Sequence, residues 1–236
     1  MIKLIDILEN KILVPRRSKE ERQKNYLITI QKKIQQYIKD GSKGDLNLAN
    51  TPITSLPNSL KKVGGYLNLN NTKITSIPND LQVEGYLNLG NTSITSLPNN
   101  LKVGGNLNLA NTPITSLPNN LQVGEDLYLI NTPINSLPDN LKVKGYLDLR
   151  NTKITSLPND LKVGGGLYLA NIKITSLPND LKVGGDLDLI YTAITSLPNN
   201  LQVEGNLYLR NTPISKKYSE EEIRKMVPGV KGEVII

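Results

Sequence analysis

Apolar residues recur along most of this chain with a fixed period of twenty residues. When the first leucine of a unit is counted as position 0, aliphatic side chains fall at positions 0, 2, 7, 10, 14 and 16, as in Leu87, Leu89, Ile94, Leu97, Leu101 and Val103. Units in this register begin at Leu67, Leu87, Leu107, Leu127, Leu147, Leu167, Leu187 and Leu207, and a unit one residue longer begins at Leu46. A single unit cannot bury these side chains, whereas stacked units share a continuous core, so the pattern predicts a solenoid.

The polar residues of the unit predict where the chain turns. Leu87 and Leu89 are two residues apart, so both side chains lie on one face of a short strand. Asn91 and Thr92 follow, and their side chains can bond to nearby backbone groups, which favours leaving the strand. Residues 98–100, Pro-Asn-Asn, are typical of a turn. We therefore predict one short strand in each coil and a parallel sheet built from these strands.

The run L-x-L-x-x-T-x-I-x-x-L-P resembles the leucine-rich repeat, whose signature is L-x-x-L-x-L-x-x-(N/C)-x-L. Threonine stands where that family usually has its ladder asparagine, and Ile172 interrupts the series. Val83 lies four residues before Leu87, where the signature expects three, so the outer arc is a variant.

The resemblance covers residues 46 to about 215. It implies a repeat solenoid with a parallel sheet of about ten short strands on the concave face, a mostly irregular convex side and helical caps at both ends. It also implies a binding scaffold without a particular partner. The whole chain is similar to repeat proteins predicted in bacteriophage and environmental microbial sequences.

The residues before the first unit predict a helical cap. Ser18 and Glu21 form a capping box that opens a helix from about Lys19 to Lys39, and Gly41 ends it. Its apolar residues are three or four apart and share one face: Leu27, Ile30, Ile34 and Tyr37. We expect this face to cover the first coil, whose core would otherwise be exposed. A shorter helix is predicted for residues 2–10.

A second cap is predicted at the other end. Ser219 and Glu222 form a capping box that opens a helix through about Met226. Residues 230–236, V-K-G-E-V-I-I, align with residues 83–89 and predict a tenth strand, in which Val234 and Ile236 replace the two strand leucines. We therefore divide the chain into an N-terminal cap (1–45), a solenoid (46–217) and a C-terminal cap (218–236).

Composition argues against most enzyme classes. The 236 residues include no histidine and no cysteine, so common general bases, nucleophiles, disulfides and transition-metal ligands are missing. We expect no enzymatic activity, no cofactor and no metal, with Asp186 and Asp188 as the best candidates for a weak cation site. No apolar run approaches the roughly 18 residues of a membrane span.

The N-terminus carries Asp6 and Glu9 inside its apolar stretch, which is unlike a signal peptide. A cytoplasmic location is therefore expected, with a virion-associated or extracellular one left open.

The positive charge is concentrated near the N-terminus. Residues 1–45 hold 11 Lys and Arg against 6 Asp and Glu, whereas residues 46–210 hold 12 against 11. The basic cluster comprises Arg16, Arg17, Arg22, Lys24, Lys32 and Lys33. Nucleic-acid binding through this cluster is one hypothesis, and a solvated helix face is the simpler interpretation.

The residues that flank the strand leucines should face solvent on the concave sheet. They vary between units, whereas most of the unit is constant, and they are rich in Tyr, Asn and Asp, as in binding paratopes. The C-terminal half carries the candidate partner-binding residues: Tyr128, Tyr146, Asp148, Arg150, Tyr168, Asp188, Tyr208 and Arg210. The alternative is that these side chains only stack on their neighbours and stabilise the sheet. This face carries two arginines and no lysine, which argues against phosphate-driven nucleic-acid binding there.

Three hypotheses follow for function. The first is a monomeric, non-enzymatic scaffold that binds a protein or peptide through the concave face, chiefly its C-terminal half. The second is a structural or assembly protein, such as a phage virion or filament component. The third is nucleic-acid association through the basic N-terminal helices.

Overall fold

The computed structural model describes residues 18–236, so the short helix predicted for residues 2–10 lies outside the described part of the chain. The first described helix, α1 (Lys19–Lys39), has the predicted capping box, in which Ser18 and Glu21 exchange side-chain-to-backbone hydrogen bonds. Asp40 caps its C-terminus, and Gly41 follows with φ +80°, a left-handed angle that glycine adopts at little cost.

Eighteen two-residue strands and two further short helices, α2 and α3, follow α1. In chain order they are β1 Leu46–Asn47, β2 Lys62–Val63, β3 Leu67–Asn68, β4 Gln82–Val83, β5 Leu87–Asn88, β6 Lys102–Val103, β7 Leu107–Asn108, β8 Gln122–Val123, β9 Leu127–Tyr128, β10 Lys142–Val143, β11 Leu147–Asp148, β12 Lys162–Val163, β13 Leu167–Tyr168, β14 Lys182–Val183, β15 Leu187–Asp188, β16 Gln202–Val203, β17 Leu207–Tyr208, α2 Pro213–Lys217, α3 Glu220–Met226 and β18 Val234–Ile235.

The strands form two parallel sheets that run the length of the stack. The odd-numbered strands and β18 make a ten-stranded sheet, and the remaining even-numbered strands make an eight-stranded sheet. In the ten-stranded sheet Leu87 pairs with Leu67 on one side and with Leu107 on the other, and the same register holds along the stack. The leucines at positions 0 and 2 are at most 1% exposed in every coil. The predicted solenoid, with its strand leucines turned inward, is therefore confirmed.

The eight-stranded sheet was not predicted from the sequence. Each of its strands is a lysine or glutamine followed by valine, with the first side chain exposed and the valine buried. A strand of two residues is too short to show a recognisable alternating pattern, so the sequence identifies only the valine of each pair, as a core residue. The outward side chains of this sheet form a column that we call the lysine column: Lys62, Gln82, Lys102, Gln122, Lys142, Lys162, Lys182 and Gln202.

Threonine and asparagine fix the turn after each strand of the ten-stranded sheet. In eight coils the threonine hydroxyl donates to the carbonyl of the leucine three residues earlier, at 2.6–2.8 Å. Ile172 replaces this threonine in one coil and is buried instead. The residue that precedes the threonine position has φ between +54° and +61° in every coil. This angle explains why asparagine is common there, because asparagine tolerates left-handed backbone better than most residues.

Helix α1 covers the N-terminal end of the stack, as predicted. Ile30 and Ile34 are buried in the common core, and Leu27 and Tyr37 pack against it. The ammonium group of Lys33 donates to the carbonyl of Asn47 at 3.0 Å, so it satisfies an acceptor on the edge strand β1.

Two helices and a strand close the C-terminal end. Helix α3 has the predicted capping box between Ser219 and Glu222, and β18 pairs with β17 so that Val234 stands beside Leu207. Val234 is 2% exposed, as expected of a leucine replacement. Ile236 is 43% exposed, contrary to prediction, because it lies just beyond β18, which is an edge strand of the ten-stranded sheet. No helix in residues 18–236 is both long enough and apolar enough to cross a membrane.

Candidate functional site

The solvent side of the ten-stranded sheet, called here the sheet face, carries the side chains at positions −1, 1 and 3 of each coil. At position 1 the residues stand side by side in strand register, and in the C-terminal half tyrosine alternates with aspartate. We call this series the Tyr–Asp row: Tyr128, Asp148, Tyr168, Asp188 and Tyr208. Neighbouring members are about 4.8 Å apart along the sheet, so successive tyrosines are separated by about 10 Å.

The asparagine and aspartate side chains at position 1 are bound to their own backbone. In six coils the side-chain oxygen accepts a hydrogen bond of 2.9–3.2 Å from the amide two residues later: Asn47, Asn68, Asn88, Asn108, Asp148 and Asp188. These residues shape the strand exit. Tyrosine cannot make this bond, so the three coils that carry Tyr128, Tyr168 and Tyr208 lack it.

The same residue types at position −1 tie neighbouring coils together. Each of five side chains accepts a hydrogen bond of 2.7–2.9 Å from the amide at position −1 of the next coil: Asp45, Asn106, Asp126, Asp186 and Asn206. Sequence reasoning placed these residues on a variable surface and missed both sets of bonds. Asp186 and Asp188 each use one oxygen in this way, and the described residues contain no group of three acidic ligands that could hold a metal ion.

The three tyrosines of the row all lie back along their own strands, over position −1. The Tyr128 hydroxyl donates to Asp126 at 2.8 Å, and the Tyr208 hydroxyl accepts from the Asn206 amide at 3.3 Å. In the coil of Tyr168 position −1 is Gly166, where an added Cβ would lie 3.0 Å from the tyrosine hydroxyl. Burial, followed by the bond to Asp126, raises the pKa of Tyr128 well above its ordinary value. The three tyrosine side chains therefore lie along their own strands, with their hydroxyls beside position −1.

Four of the predicted site residues form one contact cluster. Asp148 is only 3% exposed, and Arg150 binds its carboxylate with both Nε and Nη2, at 2.6–3.1 Å. The Arg150 guanidinium lies 5.8 Å from the ring centre of Tyr168, and the Tyr146 ring lies 5.9 Å from the same ring. The hydrogen bonds that Arg150 donates to Asp148 raise the pKa of Arg150 above its usual value. Because Asp148 is covered, this cluster presents Arg150 and Tyr146, which is 46% exposed, to solvent.

Asp188 and Arg210 occupy the C-terminal end of the row. Partial burial raises the pKa of Asp188, with opposing contributions from the Ile190 amide and Arg150. Asp188 stands between Tyr168 and Tyr208, and Arg210 follows Tyr208 on the solvent side. All eight predicted residues thus lie on one face over five consecutive coils, with four of them in mutual contact.

The repeat geometry decides the fold. The strand leucines stand in unbroken parallel register, and each coil contributes one short strand to the ten-stranded sheet. An apolar core lies between the two sheets. These features are the ones that the sequence motif implied. The chain folds as a leucine-rich repeat solenoid.

Comparison with solved structures finds similarity to several proteins, including the following two. One is a leucine-rich repeat protein of Leptospira interrogans, with 18% identity, a TM-score of 0.23 and coverage of 84% of this chain and 98% of that one. The other is YopM from Yersinia enterocolitica, with 17% identity, a TM-score of 0.24 and coverage of 86% and 72% respectively. Both TM-scores are low, so the fold assignment rests on the repeat geometry of the chain itself. No protein-family model and no curated protein matches the sequence.

The leucine-rich repeat solenoid also carries an open depression beside the Tyr–Asp row that sequence reasoning missed. Its volume is about 400 Å³, and it is lined by Tyr86, Asn106, Asn108, Ala110, Tyr128 and Ile130. The Asn108 amide donates to the Tyr86 hydroxyl at 3.3 Å, which holds Tyr86 over the next coil. Tyr86, which with Tyr66 is one of two tyrosines at position −1 in the asparagine-rich half, was the available signal.

The basic cluster lies away from this surface, on α1. Its members within residues 18–236 are Arg22, Lys24, Lys32 and Lys33, all exposed. Lys33 serves the edge strand β1, as described above. Arg16 and Arg17 lie outside the described residues.

Proposed function

We propose that this solenoid is a non-enzymatic scaffold that binds a protein or peptide through the sheet face, chiefly its C-terminal half. One observation carries the proposal. Where position 1 is asparagine or aspartate it binds the local backbone, and in three coils tyrosine replaces it and gives up that bond. A hydrogen bond of this kind contributes about 0.5–1.5 kcal/mol to stability. The presence of tyrosine at position 1 is therefore better explained by binding than by the stability of the coil.

The alternation within the row favours binding over lateral stacking. Tyrosines two strands apart are too far from one another for ring contact, and aspartate stands between them. Within residues 18–236, one pair of tyrosine rings lies in contact, Tyr146 with Tyr168. Half-buried tyrosine rings offer a large contact area at low entropy cost, and Arg150 and Arg210 supply charged hydrogen-bond donors.

The covered ends of the sheet support a scaffold that acts as a monomer. Helix α1 and Lys33 lie over one edge strand, and α3 packs against β18 at the other end. We propose the solenoid of residues 46–217 as the binding unit, with residues 1–45 and 218–236 as its caps.

The test replaces tyrosine by the asparagine that other coils carry at the same position. In the variant Tyr128→Asn/Tyr168→Asn/Tyr208→Asn we expect unchanged or higher thermal stability, because each asparagine can restore the backbone bond. Peptides selected from a random library on the wild-type protein should bind this variant at least about tenfold more weakly, a loss of about 1.4 kcal/mol.

The matched control replaces tyrosines away from the row, Tyr26→Ala/Tyr191→Ala, and should bind the selected peptides as the wild type does. Equal binding by the asparagine variant and the wild type, or failure of the library to yield any peptide, would contradict the proposal.

A further inference from the structure

One guanidinium on the sheet face is bound by a carboxylate and a tyrosine from adjacent coils. In the coil that begins at Leu147, Arg150 at position 3 donates to both oxygens of Asp148 at position 1. Tyr168 stands beside Asp148 in strand register, and its ring centre lies 5.8 Å from the Arg150 guanidinium. On this face, an aspartate with a tyrosine at the same position of the next coil therefore forms a site for a guanidinium.

The same pair of residues recurs two coils further along the stack. Asp188 is at position 1 of its coil, and Tyr208 stands beside it in strand register in the next coil. The carboxylate of Asp188 accepts from the amide two residues later at 2.9 Å, and that of Asp148 does so at 3.2 Å. The tyrosine of each pair lies back along its own strand, over position −1. The two sites therefore share one framework.

The two sites differ in the residue that supplies the cation. Position 3 is Arg150 in the coil of Asp148. It is Ile190 in the coil of Asp188, and an isoleucine cannot pair with a carboxylate. Asp148 is 3% exposed, whereas Asp188 is only partly buried, and neither Asp188 nor Arg210 forms an ion pair within the described part of the chain. A partly buried carboxylate without a paired cation favours a partner that brings one.

The surroundings of Asp188 also favour a planar cation. Asp186, two residues earlier on the same strand, adds a second carboxylate. Each of these aspartates accepts one backbone hydrogen bond through a single oxygen, which leaves the other oxygen available to a donor. Tyr168 and Tyr208 stand on either side of Asp188, each about 4.8 Å away along the sheet. A planar cation that binds this carboxylate therefore also comes within cation–π distance of a tyrosine ring.

From these observations we infer that the site formed by Asp188 and Tyr208 binds an arginine side chain of the partner. The guanidinium donates to the carboxylate through two nitrogens and lies beside the tyrosine ring, as Arg150 does two coils earlier. Arginine fits better than lysine, because its planar fork of donors matches both carboxylate oxygens and stacks on an aromatic ring. The inference rests on the proposed function, since it assigns one residue of the peptide that the sheet face binds.

The first test needs no peptide partner. The isotope-labelled full-length protein is titrated with N-acetyl-arginine methylamide and, as the matched neutral probe, with N-acetyl-citrulline methylamide. We expect saturable NMR shifts at the amides of Ile190 and Tyr208 with the arginine probe, and binding of the citrulline probe at least about tenfold weaker. Equal binding of the two probes, or of N-acetyl-lysine methylamide and the arginine probe, would overturn the assignment to arginine, as would shifts that leave these two amides unchanged.

Two variants copy other coils of the chain. Asp188→Asn keeps the backbone bond, as Asn108 does, and removes the charge, whereas Ile190→Arg supplies an arginine from within the chain, as in the coil of Asp148. Each should weaken binding of the arginine probe at least about tenfold while circular dichroism stays unchanged. The matched control Ala49→Arg adds the same charge at position 3 of the first coil and should bind the probe as the wild type does. Undiminished binding by either Asp188→Asn or Ile190→Arg would contradict the inference.

Selected peptides connect this site to the proposed function. Peptides that bind the wild type and lose affinity for Tyr128→Asn/Tyr168→Asn/Tyr208→Asn should contain an arginine that pairs with Asp188. Its replacement by citrulline should weaken binding to the wild type at least about tenfold and binding to Asp188→Asn by less than about twofold. Peptides that depend on the tyrosines but on neither an arginine nor Asp188 would refute this inference and leave the proposed function intact. A library that yields no peptide would contradict the proposed function, and the probe titration would still decide whether Asp188 binds a guanidinium.

Discussion

At the residue scale, one backbone angle selects one residue type throughout the stack. The residue at position 4 of each coil, in the turn after the strand, has φ near +57°, and eight of the nine coils place asparagine there. Asn131 also accepts from Asn151 and donates to Asn111, both at 2.8 Å. Tyr191 adopts the same angle, φ 58°, and is 60% exposed. Little packing of its side chain therefore offsets the conformational cost of the left-handed backbone.

Replacing Tyr191 by asparagine should therefore stabilise the protein. Left-handed backbone costs most L-residues roughly 1–2 kcal/mol and asparagine less, so we expect a gain of about 0.5–1 kcal/mol in the free energy of unfolding. Denaturant titration measures it. The reverse exchange, Asn131→Tyr, should destabilise by more than this, because it also removes two ladder hydrogen bonds; a neutral result for both substitutions would argue against the conformational explanation.

The buried carboxylate of Asp148 makes Arg150 important for stability as well as for the proposed binding. Arg150→Ala leaves Asp148 with its bond to the backbone amide and without its counter-charge. Removing one partner of a fully buried pair costs about 3–5 kcal/mol; because Arg150 is half exposed, we expect about 2 kcal/mol.

The double variant Asp148→Asn/Arg150→Ala should recover most of this loss, since it copies the coil that contains Asn108 and Ala110. Thermal unfolding of the three proteins checks the prediction. A double variant no more stable than Arg150→Ala would mean that the guanidinium acts through packing on Tyr168 and not through the charge of Asp148.

At the element scale, α1 is the only helix of more than seven residues in the described part of the chain, and it serves as a lid on the first coil. Only a narrow face of α1 packs on the first coil: Ile34 on this face is 2% exposed, whereas Ile28 on another side of the helix is 40% exposed. A 21-residue helix with this many charges gains most of its stability from tertiary packing.

Shortening Ile34 should loosen the N-terminal end. We expect Ile34→Ala to cost about 2–4 kcal/mol through the cavity that it leaves, with amide hydrogen exchange rising in α1, β1 and β3 before the rest of the stack. Ile28→Ala is the control and should change the stability by less than about 0.5 kcal/mol. Equal exchange in both variants would show that α1 does not hold the first coil in place.

At the scale of the whole molecule, every coil contacts only its neighbours. Both sheets pair each strand with the corresponding strand of the adjacent coil, so the stability of the stack is a sum of coils and the interfaces between them. The molecule therefore has no central core whose loss would unfold all of it.

Deleting one complete coil, residues 87–106, should leave a folded protein. The deletion joins Tyr86 to Leu107 and keeps the register, so we expect unchanged circular dichroism per residue and an m-value lower by about a tenth, in proportion to the surface buried. Deleting residues 87–96 alone should unfold the stack from that point, because it moves polar residues to core positions. Normal folding after this half-coil deletion would contradict the twenty-residue register.

The sequence predicts the fold of this molecule better than its surface, and particular residues show why. The spacing of Leu87 and Leu89, repeated in every coil, predicts the strand and its buried face, and Ser18 with Glu21 predicts the start of α1. The pair Lys102–Val103 carries too little pattern to predict a strand. Burial of Asp148 and the backbone bonds of Asn108 depend on neighbours in other coils, which no local pattern contains.

The lysine column should make the stability of the stack depend on salt. Lys142, Lys162 and Lys182 stand directly opposite one another on adjacent strands, and none of them forms an ion pair within residues 18–236. Like charges in this arrangement repel, and mobile ions weaken the repulsion.

Raising sodium chloride from about 0.01 M to about 0.5 M, which shortens the Debye length from about 30 Å to about 4 Å, should thus raise the melting temperature. Lys162→Gln, which places glutamine where Gln122 stands in another coil, should reduce that dependence. Along this side the molecule is a weak polycation whose charges are held at the spacing of a β-sheet. Because backbone pairing fixes that spacing, the lysines cannot move apart, and their repulsion lowers the stability of the protein at low ionic strength.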